Sequence, residues 1–300
     1  MQQYRTGICR TAFYFSVALA LTTGLLPIAA QSESLKQNNH NYSFTSVGTL
    51  VNDQEPIMVA QLFYNNKYNN NGYKTVRSIP GPASNNSFMA ALQNINNFDE
   101  VMQRGDAELD KKNYNNAILA YSRAIALSPT DALAYYNRAW ARIGANTLDD
   151  ALNDATRAIE LDANFTLAYN ARGLIKTMMN RYEQSISDFD QAINLDPNFE
   201  LAYNNRAFSK YNLSDYEGAI IDYGIAIAIN PTSAVAYSNR ALAKYANGDY
   251  NEALVDANQS IALDTKFGQA YYNRAYIKQA LGISNSTDLA TARALGVYLE

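Results

Sequence analysis

The hexapeptide AYNNRA at residues 202–207 has close copies at 134–139 (AYYNRA), 168–173 (AYNARG), 236–241 (AYSNRA) and 270–275 (AYYNRA), each 34 residues from the next. A fixed interval with drifting neighbours marks a structural unit that is reused, because a loop made for one chemical task is needed once and a building block many times. From Phe98 the chain divides into units at 98–131, 132–165, 166–199, 200–233, 234–267 and 268–300. The number of units, rather than the size of one core, then sets the length of the folded array.

Each unit contains two apolar-periodic stretches of about a dozen residues, a length and period that predict two short antiparallel helices. The second stretch runs into a breaker. Ser128-Pro129, Asp196-Pro197 and Asn230-Pro231 stop a helix because proline lacks the amide donor and pushes the preceding residue into an extended conformation. Between the two helices lie polar turns such as Asn247-Gly248-Asp249, where glycine can take the left-handed conformation. Thr147 followed by Asp150 predicts a capping box for the second helix of its unit. Small residues recur where helices must cross. Gly105, Ala139, Gly173, Ala207, Ala241 and Ala275 mark the first helices, and Ala117, Ala151, Ser185, Ala219 and Ala253 mark the second, with Ile125, Ile159, Ile193, Ile227 and Ile261 filling the space beside them.

With these residues in place the sequence resembles the tetratricopeptide repeats, helix–turn–helix units of 34 residues. Tyr135, Tyr169, Tyr203, Tyr237 and Tyr271 meet the family's aromatic position, and Pro129, Pro197 and Pro231 its closing proline. The resemblance covers about two thirds of the chain. It implies an all-α, right-handed α-solenoid of about six repeats, the sixth a capping unit because Ser286 to Leu295 runs about two residues short of register. One departure is systematic. Where the family commonly carries leucine, this chain has Arg104, Arg138, Arg172, Arg206, Arg240 and Arg274.

Four of those arginines, Arg138, Arg172, Arg206 and Arg240, are followed sixteen residues later by Asp154, Asp188, Asp222 and Asp256. One helix of each hairpin thus supplies a cation and the other an anion at similar depth, which predicts a structural ion-pair ladder in preference to an anion site. Lys176, Lys210, Lys244 and Lys278, one turn beyond an arginine, extend it. Treated as surface pairs, these would contribute only about 0.2–1 kcal/mol each.

The resemblance further implies that first helices line a concave groove. The expected partner-binding residues are Tyr136, Asn137, Trp140, Asn170, Leu174, Asn204, Asn205, Phe208, Ser238, Asn239, Leu242, Tyr272 and Tyr276, with Leu133, Met178, Tyr211 and Tyr245 beside them. Such a lining is aromatic, apolar and nearly uncharged beyond Asp106 and Asp110 in the first unit. It suits an extended peptide or an amphipathic helix, with asparagine amides bonding the backbone. One branch of the family clamps the free carboxylate of chaperone tails with lysines, asparagines and an arginine. Here Asn137 meets one clamp position, but Met102, Asp106, Leu167 and Ala171 occupy the others, so that mode is not expected.

The function classes left open are a non-enzymatic protein–protein interaction scaffold for a partner of unknown identity, with assembly of an envelope or membrane complex as one setting, and a regulator or enzyme with a small-molecule site. The first is favoured. One His and one Cys cannot build a metal cluster or a Ser–His–Asp triad, and the aspartates recur at the repeat period instead of marking one unique site. With no glycine-rich phosphate loop, no cofactor is expected.

Ahead of the array, residues 1–30 read as a signal peptide, with Arg5 and Arg10, an uncharged run from Thr11 to Ile28, and Ala29-Ala30 before Gln31. An uncleaved membrane anchor is the alternative, weakened by Thr22, Thr23, Gly24 and Pro27. Export to a periplasm, a lumen or the exterior is therefore expected. Cleavage after Ala30 would leave 22 basic and 28 acidic residues and no cysteine. That negative balance does not suit nucleic acid or anionic lipid. Residues 31–97 are Asn-rich and read as a flexible linker, apart from Val47 to Tyr64 (VGTLVNDQEPIMVAQLFY), which is apolar enough for a transient strand or a docking peptide.

Overall fold

A computed structural model describes residues 85–297, and the expected leader and most of the expected linker lie outside them. The described residues form thirteen α-helices and no strand. A short α1 (Asn85–Gln93) precedes six hairpins: α2 (Phe98–Asp110) with α3 (Tyr114–Leu127), α4 (Ala132–Gly144) with α5 (Leu148–Leu161), α6 (Thr166–Met178) with α7 (Tyr182–Leu195), α8 (Glu200–Asn212) with α9 (Tyr216–Ile229), α10 (Ala234–Asn247) with α11 (Tyr250–Leu263), and α12 (Gly268–Ala280) with α13 (Ser286–Ala294).

The punctuation acts through the backbone. Ser128, Asp196 and Asn230, each before a proline, close their helices with ψ of 85, 96 and 86°. Asp162 and Asp264 have no proline after them yet adopt the same geometry. There the aspartate carboxylate accepts the amide two residues on, from Asn164 at 2.9 Å and Lys266 at 2.8 Å, the same side-chain turn that Asp196 and Asn230 make beside their prolines, so the turn forms with or without the ring. Within hairpins the turn residue has positive φ in all six units, at Lys112, Asn146, Asn180, Ser214, Gly248 and Gly282. Only two of the six are glycine, so the hairpin imposes the left-handed conformation whatever residue stands there.

The capping box expected at Thr147 does not form. Thr147 is the N-cap of α5, but its side chain makes no capping bond, and its hydroxyl instead donates to the Arg142 carbonyl at 3.3 Å. That carbonyl, exposed at the end of α4, competes for the hydroxyl. Side-chain caps are made by Asn97, Asp131, Asp215 and Ser233.

Each helix packs on the next along the chain, and first helices also touch the first helix of the following unit, as α4 touches α6 and α10 touches α12. The first helices therefore make an inner layer, with the second helices splayed around it. Side-chain size is matched across four of the hairpins. A β-carbon on Gly173 would lie 2.6 Å from Phe189 Cε1, and Gly105 stands against the Tyr121 ring in the same way. Two other hairpins have alanine at both places, Ala139 with Ala155 and Ala241 with Ala257, all fully buried. Ala207 opposite Tyr223 departs from both patterns.

Residues 85–97, read from composition as the end of a linker, belong to the folded array. Leu92 and Ile95 are buried in one cluster with Val101, Leu109 and Tyr121 of the first unit, and Phe88 packs against it. Arg123 on α3 fixes the segment by donating to the Ile95 carbonyl at 3.1 Å and to Asn96 Oδ1 at 2.9 Å. Burying a leucine of this kind is worth roughly 1.5–3 kcal/mol, enough to hold a short helix against a stack that is already ordered.

Candidate partner-binding site

Two faces of the first helices carry distinct chemistry. On the face turned toward the second helices, the ion-pair ladder is a repeated cell of four residues. Arg206 donates to both oxygens of Asp222, from Nε at 2.8 Å and Nη2 at 2.7 Å, and the Lys210 ammonium reaches the same carboxylate at 2.8 Å. The guanidinium carbon lies 5.4 Å from the Tyr203 ring centroid, within cation–π range. The same forked bond joins Arg138 to Asp154, Arg172 to Asp188, and Arg240 to Asp256, each arginine lying over the tyrosine three residues before it.

Three features of the ladder escaped the sequence. The carboxylates are only 2–5% exposed, which places the pairs in the part-buried regime and not among surface pairs. Arg142 takes the lysine's place in the second unit and bonds Asp154, and its signal was available, since Lys176 lies 34 residues further on. Arg274 pairs with Asp288 fourteen residues later, because the last hairpin is two residues short. The first unit has no such cell. Its Arg104 bonds Glu100 at 3.2 Å on the same helix, and Ala120 stands where the aspartate would be.

Three of the cells also reach backward. Arg206 Nη1 donates to Asp190 on α7 at 2.6 Å, Arg138 to Ser122 on α3 at 3.0 Å, and Arg274 to Asn258 on α11 at 2.8 Å. A single guanidinium thus ties a first helix to the second helices of its own unit and of the unit before. Burial pulls the Arg206 group down, but Asp222 and Asp190 together hold it above the ordinary arginine value. Each ladder carboxylate is thus committed to two cations, a pairing role repeated from unit to unit.

The inner face carries the residues expected to meet a partner. Tyr136 and Trp140 on α4 and Leu174 on α6 fall in one buried cluster, while Phe208 on α8, Leu242 on α10 and Tyr272 on α12 fall in a second, against which Tyr276 packs. The rings meet edge to face or tilted: Tyr136 with Trp140 at 6.1 Å, Tyr136 with Phe165 at 5.0 Å, and Tyr272 with Tyr276 at 4.8 Å. These side chains are far less accessible than open groove walls would be. Trp140 and Phe208 are each 2% exposed, and Asn170 and Ser238 not at all, whereas Tyr276 is half-buried.

The polar members divide by task. Asn205 Nδ2 donates to Asn170 Oδ1 at 3.0 Å, and Asn273, absent from the expected set, donates to Ser238 Oγ at 2.8 Å, so these amides tie one first helix to the next. Asn239 is buried on α10. Asn137 Nδ2 donates to Asp106 at 3.3 Å, while Asn137 Oδ1, Asn170 Nδ2 and Asn204 Oδ1 are buried with no hydrogen-bond partner. Such atoms cost about 1–3 kcal/mol each, and these three lie in consecutive units, below the accessible surface.

At the first-unit end of this face Asp106 accepts from Tyr121 OH at 2.7 Å. Burial pushes its carboxyl up from the usual range, the tyrosine opposes this, and Asp110 one turn on adds to the rise. The inner face is therefore anionic at one end and uncharged along its length. Among the described residues no three His, Cys, Asp or Glu side chains converge as metal ligands.

Comparison with known proteins bears on the fold. Residues 105–142 match a family model described as TPR repeat, and residues 167–199 one described as tetratricopeptide repeat. No curated protein matches the chain significantly. Among solved structures, the MamA protein is similar at 22% identity and a TM-score of 0.50, covering 56% of this chain and 92% of its own. The PilF protein of Pseudomonas aeruginosa is similar at 16% identity and a TM-score of 0.56, covering 66% and 88%. The Cut9–Hcn1 hetero-tetramer of the APC/C is similar at 18% identity and a TM-score of 0.61, covering 70% of this chain, which spans 43% of that one. At these identities the likeness concerns architecture. Together with the six stacked hairpins it shows a helical solenoid, in which residues 105–142 and 167–199 are similar to tetratricopeptide repeats.

Proposed function

We propose that this chain is a non-enzymatic scaffold that holds an extended segment of a partner protein along the inner face of its repeats. The observation that carries the reading is the uncharged aromatic seam along the first helices, with Tyr276 half-buried against it. A peptide main chain offers a donor and an acceptor at every residue, and a flanking seam of rings grips its side chains. At least one similar structure, the Cut9–Hcn1 hetero-tetramer, is an assembly with a second protein. If the amino-terminal segment acts as a signal peptide, the partner is met outside the cytoplasm, in keeping with assembly of an envelope or membrane complex.

The alternative of an enzyme or regulator with a small-molecule site gains no support from the ladder, whose aspartates are each paired with two cations and recur from unit to unit. The test is affinity capture from the native extract by the parent chain and by a variant with Trp140, Phe208 and Tyr276 changed to Ala, checked by circular dichroism for intact helix. A partner retained by the parent and lost from the variant supports the reading. Equal capture by both moves the function to another surface.

A further inference from the structure

The acids of the array are met in two ways. Each ladder aspartate has two cations, and Glu108, buried on α2, is bonded by Lys111, Asn113 and Asn116, which hold its carboxyl below the ordinary value against the effect of burial. Asp106, on the same helix, has no cation among the described residues. Its carboxylate accepts from Tyr121 OH at 2.7 Å and Asn137 Nδ2 at 3.3 Å, and Asp110 one turn on adds a second negative charge where a counter-ion would stand. The arginines of the helices around it are engaged elsewhere. Arg104 on α2 bonds Glu100, Arg123 on α3 bonds the Ile95 carbonyl and Asn96, and Arg138 and Arg142 on α4 bond Asp154. A charge withdrawn from water without a counter-ion is costly to the fold, so its counterpart is to be sought outside the chain.

We propose that Asp106 and Asp110 receive the ammonium group of a lysine carried by the partner, a proposal that rests on the inner face being the binding site described above. The pair is open: Asp110 is exposed and Asp106 half-buried. Beneath it lies Asn137, 1% exposed, whose amide nitrogen is turned to Asp106. The oxygen of the same amide is thereby set beside that carboxylate, and it has no hydrogen-bond partner. The two donors at this spot, the Tyr121 hydroxyl and the Asn137 amide, are both committed to Asp106. What remains is acceptors alone, on three separate groups. A primary ammonium carries three donors and no acceptor, and so matches such a set, whereas a carboxylate or a main-chain carbonyl finds nothing to bond.

The register of the array ties this spot to the seam. Asp106 holds in the first unit the place that Trp140, Leu174, Phe208, Leu242 and Tyr276 hold in the next five, each 34 residues from the last. Five members of the row are apolar or aromatic and the sixth is an acid. A partner that follows the row therefore meets one charge, at one end. Such a contact fixes direction and register more than it adds strength.

Two blocked tripeptides serve as probes, acetyl-Ala-Lys-Ala-amide and acetyl-Ala-norleucine-Ala-amide, which match in length and differ in charge. Each is added to the full chain at millimolar concentration while NMR follows the Asn137 side-chain amide and the Asp106 carboxyl. At pH 7 the lysine peptide should shift both signals saturably, and the norleucine peptide neither. Burial and Asp110 raise the empty Asp106 carboxyl. Bound cation favours the ionised form, so its titration should move to lower pH with the lysine peptide present, and binding should fade as pH falls through that titration. Asp106→Asn keeps an acceptor for Tyr121 and removes the charge. It should abolish the saturable shift at Asn137 and melt no lower than the parent, whereas an aspartate serving the fold alone would lose stability. Asp110→Asn, at an exposed site, should weaken the lysine peptide several-fold without affecting the fold. Equal shifts from the two peptides, no saturable shift, or lysine binding that survives both substitutions overturns the proposal, as does a lower Tm for Asp106→Asn. If a partner is captured through Trp140, Phe208 and Tyr276 but equally well by Asp106→Asn, the proposal falls and the scaffold reading stands. If the lysine peptide binds as expected but no partner depends on the seam, the ammonium site stands and the scaffold reading falls.

Discussion

Removing Asp222 tests whether the ladder holds the array together or merely decorates it. The carboxylate is 2% exposed and receives Arg206 through two bonds of 2.7 and 2.8 Å and Lys210 through one of 2.8 Å. Breaking one side of a fully buried pair costs about 3–5 kcal/mol, because the other charge is left without compensation. Arg206 is 17% exposed and keeps Asp190, so the lower end applies: about 3 kcal/mol for Asp222→Ala. Arg206→Ala strands Asp222 with Lys210 alone and should cost about 2–3 kcal/mol. The two residues share one interaction, so the double variant should lose about 3–4 kcal/mol, not the sum, which gives a coupling energy of roughly 2 kcal/mol. Urea unfolding followed by circular dichroism measures all four corners of the cycle. Because a repeat array need not unfold in one step, the transition slope must match across the four, with amide exchange in α8 and α9 as the local check. Additivity within about 0.5 kcal/mol would refute the reasoning and return the pairs to the status of surface contacts.

Two further outcomes follow from the packing. Gly173→Ala places a methyl group 2.6 Å from the buried Phe189 ring and should lower stability by about 1–3 kcal/mol, read as a fall in Tm, and adding Phe189→Ala should recover part of it by copying the Ala139–Ala155 pairing. Burial pushes the Glu200 carboxyl up to about 7 against the hydrogen bond from Ser233, so between its ordinary value and that point the native chain holds a proton the unfolded chain has lost. Stability should therefore fall as pH rises from about 4.5 to about 7, and Glu200→Gln should flatten melting curves across that window.

The hairpins were legible because period, breakers and small residues repeat with the same spacing, so that each unit corroborates the others. Features that break the period were not. Asp288 escaped because its hairpin is two residues short, and Arg142 because a lysine stands at its place in later units. The helix Asn85–Gln93 was hidden by its asparagines, although Phe88, Leu92 and Ile95 recur at helical spacing. At the inner face the periodicity placed each residue on the correct helix, yet it could not tell an amide that bonds a neighbouring helix, such as Asn205, from one with a free atom, such as Asn204. That distinction depends on the distance between successive helices, to which a single unit's sequence is blind.

The backward reach of the arginines limits how such a chain can change by duplication and exchange of its modules. A unit copied elsewhere carries its own tyrosine, arginine, lysine and aspartate, but borrows its third contact from whichever unit happens to precede it. Arg206 borrows a second anion from Asp190, whereas Arg240 faces Gly224, which has nothing to lend. Moving the fourth unit behind the fourth's present successor would leave its guanidinium one charge poorer, although every residue inside the unit was preserved. The modules of this array are alike in shape but not interchangeable in order, and the joints, more than the units, record which neighbour each was fitted to.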